Sequence, residues 1–96
     1  MKTLARIRAK KQQIESIARR YGIRDIRIFG SVARGEETRS SDIDMLVKYG
    51  RAITIPEVCD AQEELAKLLG RPVQLVARDA LGPILRQRVP REAVPL

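Results

Sequence analysis

The sequence predicts an α+β fold, a small mixed or antiparallel sheet with helices packed mainly on one face. Segments with apolar residues at helical spacing alternate along the chain with short segments rich in Ile, Val and Leu, in the order α-β-α-β-α-β-α. Two of the helical segments are long enough to cover one face of the sheet, which leaves the other face open. Because 96 residues leave room for one core, we expect a single domain over residues 1–96.

Each predicted element has a signal at its ends. The first helix is predicted over residues 3–21, because apolar residues recur at helical spacing and Gly22 suits the turn just past its end. Thr54 is the expected cap of the long third helix, and Gly70 is its expected end. The remaining predicted elements are strands over 23–29, 42–49 and 73–76, a helical turn over 31–37, and a last helix over about 80–89 that Asp79 caps.

Composition excludes several kinds of site. Without histidine, the chain has no Ser-His or Cys-His pair and no zinc site built on imidazole. Cys59, the one cysteine, cannot form an internal disulfide, and its place in a helical pattern suggests a buried, inert thiol. No apolar run has membrane-spanning length and no signal peptide is evident, so we expect a cytoplasmic protein.

The net charge of +7 favours acidic partners: nucleotides, nucleic acid or an acidic protein surface. Much of the excess lies near the N-terminus, where a solvated helix face is the simpler interpretation. Nucleic-acid binding is the least favoured class, because the chain has only three aromatic residues for base stacking: Tyr21, Phe29 and Tyr49.

Gly30 and Ser31 follow the first predicted strand. Glycine has no Cβ, so the backbone there can approach a polyphosphate closely, and the Ser31 hydroxyl can donate to the same phosphate. Arg34 lies one helical turn further on and is a candidate phosphate ligand, although Arg39 and Lys48 are equally available. A Gly-Ser pair alone is common in ordinary turns.

Asp42 and Asp44 lie two residues apart on the second predicted strand, so both point to the same face. Two carboxylates on one face repel each other unless a cation or water separates them. Mg²⁺ is often held by one or two carboxylates together with substrate phosphates. The simpler alternative for an isolated Asp-x-Asp is an exposed polar strand face.

The two motifs together, Gly30-Ser31 and, after ten residues, Asp42-Ile43-Asp44, are more specific. With their flanks Phe29 to Gly35 and Ser41 to Val47, they resemble the minimal nucleotidyltransferase (MNT) family of the DNA polymerase β-like superfamily. The resemblance extends along nearly the whole chain, through Glu63-Glu64-Leu65, Gly70-Arg71-Pro72-Val73 and Arg91-Glu92-Ala93-Val94.

The resemblance implies a polymerase β-like nucleotidyltransferase fold in which Gly30 and Ser31 hold a nucleotide triphosphate. It implies that Asp42 and Asp44 are catalytic and bind Mg²⁺, with two ions expected and ATP as the nucleotide. Many members of the family are antitoxins that transfer AMP to a tyrosine of a HEPN-domain ribonuclease toxin. A cognate HEPN toxin is therefore the expected partner, in a hetero-oligomer.

One position departs from the family pattern. The third strand of the family carries a third carboxylate, whereas this chain reads Val73-Gln74-Leu75-Val76. Alternation places Gln74 on the acid face, but a neutral amide binds Mg²⁺ weakly and cannot accept a proton. Either another acid substitutes, with Asp79, Glu36 and Glu37 as candidates, or the protein neutralises its toxin by tight binding alone.

Overall fold

The computed structural model describes residues 3–80, 82, 89 and 91–96, which form a four-stranded sheet and the helices around it. The strand order is β3-β2-β1-β4, with β2 and β3 parallel and the other pairs antiparallel. This confirms the predicted mixed sheet. The elements are α1 (Thr3–Ala9), α2 (Lys11–Arg20), β1 (Ile23–Phe29), α3 (Gly30–Arg34), β2 (Ile43–Tyr49), α4 (Ile55–Leu69), β3 (Val73–Ala77), a 3₁₀ turn (Arg78–Ala80) and β4 (Val94–Pro95).

The main core lies between one face of this sheet and the helices. Alternate residues of β2 point into it, and each is fully buried: Ile43, Met45 and Val47. Helix α4 contributes Ala61 and Leu65, which are also fully buried. Helices on this face and alternation along β2 are both as predicted.

The prediction of one helix over residues 3–21 is wrong, because the chain bends at Lys10 into α1 and α2. All six residues from 8 to 13 are exposed, so no buried side chain holds the two segments in line. The Lys10 ammonium instead donates to the Leu68 carbonyl oxygen over 2.8 Å, at the end of α4. As a result α1 packs against α3 while α2 packs against α4.

Helix α4 begins and ends as its sequence predicts. Thr54 and Glu57 form a reciprocal capping box, in which each side chain accepts a hydrogen bond from the other residue's backbone N–H. Gly70 ends the helix in the left-handed conformation, with φ of 72°. The prediction that Cys59 is buried is wrong: the thiol is exposed. It lies two residues before Ala61, about 200° around the helix from the core.

A β-bulge interrupts β1 between Arg24 and Arg27. Three residues of β1 span the distance that two residues of β2 span, and Asp25 within the bulge has a positive φ of 53°. Ile23 and Ile28 therefore both face the main core, although five positions separate them.

The second face of the sheet is partly covered. Leu46 is buried there at 2% exposure beneath Val89 and Ala93, with Phe29 and Val76 at the edge of the cluster. The expectation of a fully open face is therefore wrong at Leu46, although Asp42 and Gln74 on that face are exposed. Most of the helix predicted over 80–89 lies outside the described residues. No helix among the described residues has the length and hydropathy to cross a bilayer.

Candidate active site

Asp42 and Asp44 lie at the start of β2, on the face opposite the main core. Asp42 is exposed just before the strand, and Asp44 is half-buried within it. Asp44 pairs with Phe29 of β1 on one side and with Gln74 of β3 on the other. The sheet therefore fixes Asp44 between two neighbours, whereas Asp42 lies at the edge toward solvent.

Gly30 is in van der Waals contact range of Asp44. Its φ is +75°, and a Cβ placed on it would overlap the Asp44 carboxylate. Two features thus favour glycine at residue 30: the positive φ of its backbone and the closeness of the Asp44 carboxylate. The Gly-Ser turn and the second acid, thirteen positions apart in sequence, form one unit.

Ser31 follows in the first turn of α3 and is half-buried. Within the described part of the chain its hydroxyl makes no hydrogen bond, so it is available to a ligand beside Gly30. Helix α3 ends at Gly35, which has a φ of 72°. The Glu36 amide donates to the Ser31 carbonyl oxygen over 2.9 Å, which holds this short helix closed.

Desolvation raises the pKa of the Asp44 carboxyl, and the charge of Asp42 raises it further. The Arg34 guanidinium acts in the opposite direction and lowers it. Two repelling carboxylates on one face are expected to favour a bound cation between them.

Arg34 is held by two carboxylates. Its Nε is 2.9 Å from Glu36 Oε2, and its Nη1 is 3.5 Å from Glu92 Oε2. These partners raise the pKa of Arg34 above its ordinary value. The charge of Arg34 also acts on the Asp44 carboxyl, so Arg34 remains the candidate phosphate ligand beside the acids. Lys48, an alternative, lies four residues beyond Asp44 on β2, roughly 13 Å along the strand.

The loop before Asp42 is organised by hydroxyl groups. The Ser41 hydroxyl accepts from the Thr38 backbone N–H over 2.8 Å, and the Ser41 N–H donates to the Thr38 carbonyl oxygen. Arg71 Nη1 donates to the same carbonyl oxygen over 2.9 Å. Arg71 thus connects this loop to the start of β3 and holds in place the backbone that leads to Asp42. Sequence reasoning assigned Arg71 no role, since the contact spans 33 positions.

Gln74 lies beside Asp44, as alternation predicted, and it is exposed. No group of three or more acidic, cysteine or histidine residues suited to a metal occurs among the residues that the structure describes. Glu36 is paired with Arg34. The backbone N–H of Glu37 itself, and then the Thr3 hydroxyl, lower the pKa of the Glu37 carboxyl. Asp79 lies beyond the far end of β3, on the order of 15 Å from Gln74.

The donor set fits Mg²⁺ without a third acid. Magnesium commonly takes one or two protein carboxylates, keeps several waters and completes its shell with substrate phosphates. Asp42 and Asp44 supply the carboxylates on one face, and the absence of a side chain at Gly30 lets the Asp44 carboxylate lie against the Gly-Ser turn. The arrangement therefore suits binding of a metal-complexed triphosphate.

Comparison with known proteins agrees with this geometry. The model of the family described as polymerase beta, nucleotidyltransferase, matches residues 12–96. The protein adenylyltransferase MntA of Thermococcus cleftensis is 35% identical over 80 residues, which cover 83% of this chain and 81% of that protein.

Two solved structures share the fold. One, described as a minimal nucleotidyltransferase, has a TM-score of 0.83 and 38% identity over 100% of this chain and 97% of its own. The other is a toxin-antitoxin complex with AMP-PNP, with a TM-score of 0.74 and 26% identity over 88% of this chain and 69% of its own. The chain belongs to the polymerase beta nucleotidyltransferase family and is one of its minimal members.

Proposed function

We propose that this protein is an antitoxin that transfers AMP from Mg-ATP to a tyrosine of a HEPN ribonuclease toxin and thereby neutralises it. The observation that carries the proposal is the contact between the backbone of Gly30 and the carboxylate of Asp44, which joins a phosphate-binding turn to a metal-binding acid. The named activity of the Thermococcus cleftensis relative and the toxin-antitoxin complex with AMP-PNP support it. Residues 1–96 act as a single domain in this proposal.

Each residue of the site has a defined task. Asp42 and Asp44 would hold Mg²⁺, which would supply positive charge to the triphosphate and to the leaving pyrophosphate. Gly30 and Ser31 position the triphosphate against Asp44, so that the α-phosphate faces the incoming hydroxyl. Arg34 exchanges a carboxylate partner for a phosphate oxygen when ATP binds. The tyrosine oxygen bonds to the α-phosphorus, the bond to pyrophosphate breaks, and the phenolic proton leaves to solvent or a base.

The alternative is an antitoxin that neutralises the toxin by binding alone. It is favoured by one observation: residue 74, beside Asp44, is a glutamine, and no third acid joins the pair within the described residues. A phenol is a weak nucleophile at neutral pH, so transfer without a nearby base is slow. Under this alternative the site still binds Mg-ATP but turns over little.

Intact-mass analysis separates the two. The protein is co-expressed with the HEPN protein from a neighbouring reading frame, and the toxin is weighed. We expect a mass increase of one or more AMP groups, which disappears for Asp42→Asn and Asp44→Asn. Asp60→Asn, which removes an exposed acid from α4, is the matched control and should leave labelling unchanged. An unlabelled toxin that is nevertheless neutralised would establish the binding-only alternative.

A further inference from the structure

A basic groove of about 330 Å³ lies on the same sheet face as the acids, further along the strands. Its cationic lining consists of Arg27 on β1, Lys48 on β2 and Arg78 just after β3, and its acidic lining of Asp25. Leu46 and Pro95 add apolar surface to it. The proposed transfer of AMP assigns no chemical role to any of these six residues.

The charges in the groove are not balanced. Asp25 lies 3.9 Å from the ammonium of Lys48, which accounts for one cation. Within the described residues, neither Arg27 nor Arg78 has a salt bridge or a side-chain hydrogen bond. Two guanidinium groups that line one groove, and that have no partner in the described part of the chain, form a site for carboxylate or phosphate groups.

The groove lies close to the site but is separate from it. Arg27 pairs with Leu46, and Phe29 pairs with Asp44 two residues further along the strands. The two pairs are therefore roughly 7 Å apart. Ala93 packs with Leu46 on this face of the sheet. A bound chain in the groove would therefore lie beside the nucleotide and leave it in place.

We propose that the basic groove docks an acidic segment of the protein that accepts AMP, away from its acceptor hydroxyl. This inference rests on the proposed function, since it assigns a second contact to the same acceptor. Arg27 and Arg78 pair with carboxylates of the segment, while Leu46 and Pro95 contact its aliphatic parts. Docking raises the local concentration of the acceptor hydroxyl near the α-phosphate.

The lining favours an acidic polypeptide over RNA. None of the described residues that line the groove is aromatic, so bases would have no side chain on which to stack. A polypeptide carries isolated carboxylates with apolar groups between them, which matches two guanidinium groups flanked by Leu46 and Pro95. Binding is expected to weaken with salt, because the contacts are exposed.

Amide NMR of the whole chain tests the docking directly, without nucleotide. The probes are the peptide acetyl-(Glu-Gly)₄-amide, its (Gln-Gly)₄ counterpart and an eight-nucleotide oligouridylate. We expect the Glu peptide alone to shift the amide signals of Arg27, Lys48 and Arg78. The double variant Arg27→Glu/Arg78→Glu should weaken binding at least tenfold. Arg6→Glu/Arg19→Glu, a double variant of equal charge change at exposed positions of α1 and α2, should not.

Three results would overturn the docking proposal. They are no change in amide signals with the Glu peptide, changes at other residues, or tighter binding of the oligouridylate at the same residues. If the double Glu variant does not fold, Arg27→Gln/Arg78→Gln replaces it, with the same expected loss. Because no nucleotide is present, an absence of AMP transfer would count against the proposed function and leave this measurement unaffected.

Discussion

Asp44 and Gln74 lie side by side at the same level of the parallel strands β2 and β3. Both side chains are on the face opposite the main core, because their strand neighbours Met45 and Val73 are buried in it. Position 74 is therefore where a third acid would join the existing pair. In the proposed transfer of AMP to tyrosine, the Gln74 amide cannot take up the phenolic proton.

Gln74→Asp should increase AMP transfer. The new carboxylate would stand next to Asp44 and could accept the tyrosine proton, and a positioned base contributes on the order of 10²-fold or more. The measurement is the initial rate of toxin labelling at saturating Mg-ATP. Gln74→Asn, which changes side-chain length without adding charge, is the control and should give no gain. An unchanged rate in the Asp variant, from an active parent, would mean that another group serves as the base.

Gly30→Ala should reduce both stability and ATP binding, and Gly35→Ala measures the backbone part of that loss. Both glycines have a positive φ, 75° and 72°, so both alanines incur the left-handed strain of about 1 kcal/mol. Only at residue 30 does the new methyl group meet another side chain, the carboxylate of Asp44.

Urea unfolding and ATP titration compare these two variants. We expect Gly30→Ala to be less stable than Gly35→Ala by about 1–3 kcal/mol, the usual cost of overpacking. ATP affinity should fall in Gly30→Ala alone. Equal losses in both variants would contradict the assignment of Gly30 to the site.

Glu92→Gln should tighten ATP binding. The substitution removes one of the two carboxylates that pair with Arg34. Less ion-pair free energy is then lost when the guanidinium turns to a phosphate. Exposed ion pairs contribute up to about 1 kcal/mol, so the KM for ATP should fall by up to about fivefold. Arg34→Gln should raise the KM instead, and a double variant should resemble Arg34→Gln. If Glu92→Gln raises the KM, the carboxylate positions Arg34 and does not compete for it.

Gln62→Leu should destabilise the fold without affecting catalysis. The Gln62 side-chain oxygen accepts from the Leu75 backbone N–H over 2.8 Å, which caps the outer edge of β3. Leaving this half-buried donor unpaired costs about 1–3 kcal/mol. Thermal unfolding measures the loss, and kcat at low temperature should remain that of the parent.

Acid should destabilise the protein partly through Glu57. Arg51 and the Thr54 backbone N–H lower the pKa of Glu57 from 4.5 to about 2. Because the folded pKa is depressed, this stabilisation is complete above about pH 4.5 and is lost as pH falls toward 2. Thermal unfolding from pH 6 to pH 2.5 should therefore show a smaller decline in Glu57→Gln than in the parent. Some decline should persist, since Tyr21 and Arg20 also lower the pKa of Glu64.

Sequence patterns predicted the features of the fold that depend on residues close together in the chain. Period-two alternation correctly placed Asp44 and Gln74 on one face, and the Thr54 and Gly70 signals correctly bounded α4. Contacts between distant segments were not predictable in this way. The Arg71 bond to Thr38 and the cover of Ala93 over Leu46 depend on the tertiary arrangement.

Two further errors have the same origin. The apolar spacing of residues 3–21 fits one helix, and only the separate packing partners of α1 and α2 account for the bend at Lys10. Cys59 lies in an apolar-looking segment, but its side of α4 depends on which stripe meets the sheet. The candidate site residues are predicted from a sequence motif, whereas the groove depends on strand register.

The β-bulge at Asp25 makes β1 tolerant of a change in length at one point. At the bulge, β1 contains one residue more than β2. If Asp25 were removed, Ile23 and Ile28 would be separated by an even number of positions in a regular strand. Both side chains would therefore still face the core. Removal of a residue after Ile28 would instead shift Gly30 away from Asp44. Insertions and deletions in β1 should accordingly accumulate at the bulge, and the distance from Ile28 to Gly30 should stay fixed among functional variants.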